Sequence, residues 1–393
     1  MRGRMASVAG NTALAIGSLL TTLAVLEFVV FGTILKPDDV LPNVTINGIV
    51  RYLPGTHATF RHPDGAQSRV TINADGWNST RPGYDLARTP GRKRIAVIGD
   101  SYVHAAFVDT KDAYPEVIER ELNERGIDAE VYRFGMDGAP LSQYLAMLRS
   151  EVVRYKPDLV VVGLIHNDFD ESYRGLKSRT SSSFMKVSIE DGLPPSEIAA
   201  TEFRPGVADT LRNFATFRYL YYETNLYLTA RSVVSRLIWG GDDDYQPEHI
   251  SSAVDVRRIG DHDRNLRVTR YVLGEMKDLA TRHGFALVFA MDGVREAVYD
   301  GSDPTASEVG VLNRIAKGVC DELELAFVDL HQEFVADWAR NRERFEFTYD
   351  WHWNVRGNRV VGTAITDVAE RFLRGGAAPR KVSGESRSTS PGG

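Results

Sequence analysis

The sequence predicts an α/β protein: a parallel sheet with helices on both faces, behind an N-terminal apolar helix and interrupted by a helical insertion. Three observations lead there. From residue 94 to residue 374, apolar runs of strand length alternate with amphipathic runs of helix length. The strands are apolar throughout rather than every second residue, which is the pattern of strands buried on both faces. One long, nearly uncharged segment precedes everything else.

That segment comes first. Residues 12–35, "TALAIGSLLTTLAVLEFVVFGTIL", carry a single charge, Glu27, and are long enough to cross a hydrocarbon core of about 30 Å as a helix. Arg2 and Arg4 precede it, and Lys36 is followed at once by Asp38 and Asp39. The positive-inside rule keeps residues 1–11 in the cytoplasm and sends the rest across. A cleaved signal peptide is the rival; the apolar run is long for one, and no small-x-small site follows "FGTILKPDD". Glu27, near the outer end, is expected at the interface.

Residues 36–90 are rich in Gly, Pro and Asn with alternating apolar positions, as in "VTINGIVRYLPG" and "SRVTINADGWN". They read as short strands and turns, a β-rich lead-in. The main domain spans 91–375. Its strands are expected at 94–99, 129–134, 158–165, 285–291 and 325–330, and its helices at 112–125, 141–155, 263–283, 305–322 and 356–374. Residues 169–258 are too long for a simple crossover. They hold the polar "SRTSSSF", the aromatic "FATFRYLYYETNLYLTARSVVSRLIWG" and the acidic "GDDDYQPEH". A helical cap on the core is the plain expectation; a lid over a site or a surface against the membrane is the functional one. The low-complexity tail, 376–393, is expected to be disordered.

With 393 residues, 43% of them hydrophobic, the chain can bury a full core. A net charge of −6 without a basic stripe argues against nucleic acid as a partner. The single cysteine, Cys320, permits no intrachain disulfide and falls at an apolar helical position in "IAKGVCDELEL", where a structural thiol is expected.

In parallel sheets, ligands sit beyond the carboxyl ends of the strands. Four stretches deliver reactive residues there: Ser101 in "GDSY", Gly138 in "FGMDGAP", Asn167 in "HND", and Asp350 and His352 in "DWHWN". Each alone has a bland reading, since Asp and Ser cap helices and Asn-Asp ends strands in turns. Together, in order, they suit acyl transfer. A serine hydroxyl needs a base, which His352 supplies. Asp350 can fix the imidazole tautomer and stabilise its charged form. The backbone N–H groups of Ser101 and Gly138, with the Asn167 side-chain amide, are candidates for an oxyanion hole. Lacking a Cβ, Gly138 lets its backbone approach the reacting carbon. Asp100, His104, His166, Trp351 and Trp353 lie beside these motifs as candidate pocket walls, and a flat indole could stack on a sugar ring. His331, following a strand, reads as structural. The histidines lack ligand-type spacing, so no metal is expected.

These blocks resemble the SGNH (GDSL-type) hydrolase family, whose Ser, Gly, Asn and His correspond to Ser101, Gly138, Asn167 and His352. The resemblance covers roughly residues 94–375 apart from the insertion. It implies a three-layer α/β/α flavodoxin-like fold and esterase or acyltransferase activity without metal or organic cofactor. Membrane-anchored, extracytoplasmic relatives often act on O-acetyl groups of cell-wall or exported polysaccharides. Two departures stand out. Many relatives space acid and base as Asp-x-x-His, whereas here it is Asp-x-His, with Tyr349 at the longer spacing. "YVHAAF" after Ser101 lacks the glycine often found there.

The expectation is a serine esterase or acyltransferase on the periplasmic or cell-surface side, anchored by residues 12–35, with an O-acylated, mainly O-acetylated, polysaccharide as substrate. A non-catalytic polysaccharide-binding or assembly protein is the rival of another class. A lipid esterase, suggested by the anchor and the aromatic residues 211–240, is the rival within the enzyme class. Hydrolysis and acyl transfer share one acyl-enzyme and are not separated by sequence.

Overall fold

The structure, a computed structural model, describes residues 2–173, 181–224, 249–250, 254–255 and 261–375. Five parallel strands form the central sheet: β1 (Lys93–Gly99), β2 (Ala129–Gly135), β3 (Leu159–Leu164), β4 (Ala286–Met291) and β5 (Ala326–Asp329). Their spatial order is β2-β1-β3-β4-β5, the flavodoxin-like arrangement, whose order reverses between β1 and β3. All five fall where the apolar runs predict them, within two residues at each end.

The two faces follow from side-chain alternation along uniformly apolar strands. Ile95 and Val97, Leu159 and Val161, and Val288 and Ala290 pack against helices Tyr114–Glu124, Leu330–Asn341 and Val355–Leu373. Their neighbours Ala96 and Ile98, Val160 and Val162, and Leu287 and Phe289 pack against helices Leu141–Ser150, His262–His283 and Glu308–Glu322. Cys320 is buried in this second layer, where burial pushes its thiol far above the ordinary range.

The lead-in forms two antiparallel pairs, Asn43–Ile46 with Ile49–Tyr52 and His57–Arg61 with Gln67–Thr71. Ile49, Val50, Ala58, Val70 and Trp77 join the second layer's core. Arg51 locks the contact, pairing with Glu151 at 2.8 Å with both side chains buried, its guanidinium 4.7 Å from the Trp77 ring. The lead-in is therefore a structural part of the main domain.

Outside the insertion, two helices of six or more residues among those described escaped the sequence reading. β5 runs into helix Leu330–Asn341 with no turn between: Asp329 caps it by accepting from the His331 N–H at 3.1 Å. His331 thus belongs to a helix's first turn. Helix Arg295–Asp300 is too short to register a 3.6-residue period. In the described parts of 169–258, short helices (Asp168–Glu171, Val207–Leu211, Ala215–Arg218) are joined by an antiparallel pair, Lys186–Ser188 with Ser196–Ile198. Phe184, Met185, Val187 and Phe203 bury this segment in the core. The rest of the aromatic stretch beyond residue 224, most of the acidic stretch, and the tail 376–393 lie outside the described residues.

At the N-terminus, helix Arg2–Val25 continues in wider π-type turns, Leu26–Ile34. Gly10–Ile34 is long and apolar enough to cross a membrane.

Candidate active site

The opening turn after β1 places Ser101. Asp100 accepts a hydrogen bond from the Tyr102 N–H at 2.9 Å and so caps the four-residue helix Ser101–His104. This helix lies on the end of β2. A Cβ on Gly135 would stand 2.2 Å from the His104 nitrogen, so glycine there is what lets the helix seat. Ser101 ends up at the carboxyl edge, next to the β1/β3 switch point.

His352 arrives from the loop before the last helix. Its Nε2 is 2.8 Å from Ser101 Oγ, and its Nδ1 is 2.5 Å from Asp350 Oδ1. The same Asp350 oxygen accepts from the His352 backbone N–H at 2.8 Å. The two-residue spacing therefore works because one carboxylate grips both backbone and ring. With Asp350 Oδ1 accepting, the Nδ1–H tautomer is the one that leaves Nε2 able to accept from the Ser101 hydroxyl. Phe107 stacks on the imidazole at 5.2 Å, and Tyr102 lies on it at 4.8 Å. Burial disfavours the charged ring, but the Asp350 hydrogen bond and the charges of Asp350, Asp100 and Asp137 outweigh it and raise the His352 pKa above 6.5. Asp100 is itself pushed up to about 6 by burial, its Tyr102 hydrogen bond opposing the rise.

Gly138 and Asn167 occupy the loops after the strands flanking β1. Gly138 has φ +67° in a turn closed by the Ala139 N–H to Met136 O at 3.0 Å. Its neighbour Asp137 is held from two sides. The Asp137 N–H donates to Tyr52 Oη at 3.2 Å, and the Asp137 carboxylate meets His104 Nδ1 at 2.7 Å. Asn167 begins helix Asp168–Glu171. Burial pushes the nearby Glu171 carboxyl up to about 8, the Asn167 side chain opposing the rise.

Of the residues named from sequence, the fold brings Ser101, His352 and Asp350 into direct contact and sets Gly138 and Asn167 at the same edge. Trp351 is 40% exposed. His104, His166 and Trp353 are buried and engaged inside the fold. His104 bridges Asp137 and Tyr52. His166 Nε2 meets Asn313 Oδ1 at 2.8 Å. Trp353 Nε1 donates to Asp292 Oδ1 at 3.2 Å. These three support the site from behind. No metal-ligating group of three or more His, Cys, Asp or Glu occurs among the described residues.

Sequence reasoning missed Arg295. Buried at the carboxyl end of β4, it donates to Trp351 O at 2.6 Å and to Tyr102 Oη at 2.9 Å. It also pairs with Asp292 at 3.5 Å and Glu346 at 3.7 Å. The signal was an Asp and an Arg three residues apart right after an apolar strand, in "MDGVRE". Also unforeseen is an aromatic wall in which His62, from the lead-in, stacks on Phe347 at 5.2 Å and faces Phe107 and Tyr349.

Residues 95–191 match the family described as GDSL-like Lipase/Acylhydrolase. Similar solved structures include TesA, 12% identical with TM-score 0.39, covering 71% of this chain and 99% of that one. A lipase/acylhydrolase from Enterococcus faecalis is 14% identical, with TM-score 0.37 and coverage of 72% and 96%. A catalytic mutant of Axe2, an acetylxylan esterase from Geobacillus stearothermophilus, is 12% identical, with TM-score 0.38 and coverage of 74% and 97%. No curated protein matches the sequence.

Proposed function

We propose that this chain, whose residues 95–191 match the GDSL-like lipase/acylhydrolase family, is an ester hydrolase that removes or transfers O-acetyl groups of an extracytoplasmic polysaccharide. In this reading residues 12–35 anchor residues 91–375 outside the cytoplasm. The observation that carries the chemistry is the hydrogen-bonded series Ser101–His352–Asp350.

Ser101 Oγ attacks the acetyl carbonyl as its proton passes to His352 Nε2. Asp350 holds Nδ1–H and stabilises the imidazolium formed. The Ser101 and Gly138 N–H groups and the Asn167 amide receive the oxyanion. Collapse of the tetrahedral intermediate breaks the ester bond. The proton on Nε2 goes to the departing sugar oxygen, leaving acetyl-Ser101. Water, or an acceptor hydroxyl, then resolves the acyl-enzyme by the reverse path. The polysaccharide assignment is supported by the anchor, by the charge asymmetry around it and by the exposed Trp351 beside the base.

The base works only when neutral, so a raised pKa delays activity. The acid limb of kcat/KM is expected to have its midpoint above pH 6.5, the ordinary histidine value. Stability moves the other way. A histidine whose pKa is raised on folding stabilises the fold below its unfolded value, and that contribution is lost as pH rises through the folded value. Over the same window activity should grow while this contribution fades. A midpoint at or below 6.5 would contradict it.

The central test is to treat the full chain in detergent with a fluorophosphonate probe and, separately, with acetylated xylan. Label on Ser101 with acetate release is expected. Acetate release with Ser101 unlabelled would discard the mechanism. Cleavage of long-chain esters with acetyl esters untouched would favour the lipid esterase.

A further inference from the structure

The single charge in residues 12–35 is held by the insertion. The Glu27 carboxylate accepts backbone N–H groups of Ala215 at 2.6 Å and Thr216 at 2.9 Å, from the middle of that insertion. One helical turn on, the buried Phe31 ring lies 4.6 Å from the Tyr219 ring, tilted by 32°. The insertion therefore clasps the anchor instead of standing clear of it. Around this clasp the insertion displays Leu211, Phe214 and Leu220, exposed by 39%, 52% and 38%. On the anchor itself, Phe28 is 74% and Ile34 69% exposed. This apolar surface stops at Lys36, Asp38 and Asp39.

The position along the helix says what covers it. At about 1.5 Å per residue, a helix entering a hydrocarbon layer of about 30 Å at Thr12 leaves it near residue 32. Glu27 then lies about 7 Å inside the outer boundary, in the outer leaflet, and its partners Ala215 and Thr216 lie there with it. Aromatic and aliphatic side chains on short helical turns, with Tyr219 and Tyr221 among them, are what that interface accommodates.

We infer that residues 207–221 form a second membrane contact, an interfacial element seated in the outer leaflet against the anchor. The partner is the bilayer itself. Two contacts, one spanning and one lying flat, fix the tilt of the catalytic domain over the membrane where one flexible tether would not. This rests on the anchoring proposed above, and its test separates the two.

Nitroxide labels are placed on the full chain at Phe28→Cys, Phe214→Cys, Leu220→Cys and, as a water-exposed reference, Leu86→Cys (50% exposed), the buried Cys320 being left in place. In phosphatidylcholine nanodiscs, collision with oxygen is compared with collision with a hydrophilic nickel chelate. The labels at 28, 214 and 220 should each favour oxygen several-fold over the label at 86. If 28 is shielded while both 214 and 220 match 86, the anchor stands and the second contact falls. If 28 also matches 86, anchoring fails and this inference with it. Two insertion positions are used so that misfolding of one variant leaves the other decisive.

Discussion

Ser101→Ala is expected to lower kcat/KM for an activated acetyl ester by about 10⁴-fold or more, the scale on which removing the nucleophile of a serine hydrolase acts. Ser101 Oγ lies on the far side of the His352 ring from Asp350, and the hydroxyl it presents to Nε2 is the atom that becomes acylated. His352→Ala should cost about as much, and the double variant little more than either, because the two act as one unit. Asp350→Asn should cost less than either, since it leaves nucleophile and base in place while removing the acceptor that keeps the Nδ1 proton. Steady-state kinetics on the full chain in detergent decides this. Turnover by Ser101→Ala within tenfold of the parent would take Ser101 out of the reaction, and an additive double variant would separate Ser101 from His352.

Much of this was legible in the sequence because the relevant physics is local. A strand buried on both faces has to be apolar along its whole length, and β1, β3 and β4 announce themselves that way. A parallel sheet brings the residues after each strand to one edge. Ser101, Gly138 and Asn167 could thus be grouped from position alone, with no contact known. The Asp-x-His spacing looked like a departure until the backbone was seen. Asp350 bonds both the N–H and the ring of His352, which a two-residue gap allows. The features that stayed hidden are made only by tertiary contact. Nothing near Arg295 in the chain says that its guanidinium will reach Tyr102, nearly two hundred residues away. Glu27 was expected at the interface, yet its partners are backbone N–H groups, which leave no trace in a sequence. Helix Leu330–Asn341 was lost for another reason: its cap, Asp329, is also the last residue of the preceding strand, so no turn residue marks the change.

Arg295 gives the second large effect, and it separates holding a loop from doing chemistry. Its guanidinium is 2% exposed. Burial works against its charge, but Tyr102, Asp292 and Glu346 more than offset that and keep it protonated. Arg295→Met would leave the fully buried Asp292 without its cation and take a donor from Trp351 O. Breaking a buried ion pair from one side typically costs about 3–5 kcal/mol. Urea unfolding of the full chain in mild detergent, read by tryptophan fluorescence, should show a midpoint lowered accordingly with little change in slope. Arg295→Lys should recover only part, because one ammonium cannot reproduce the fork that spans Tyr102 Oη and Trp351 O. Activity should fall in both variants, since Trp351 is the residue between Asp350 and His352 and its tether sets where the imidazole points. Arg295 meets the site through Trp351 O and Tyr102 Oη rather than through the imidazole, so the midpoint of the acid limb should stay where it was while kcat drops. A lowered kcat with a shifted midpoint would mean that Arg295 tunes the base electrically, and an unchanged urea midpoint would mean that the buried pairs hold nothing together.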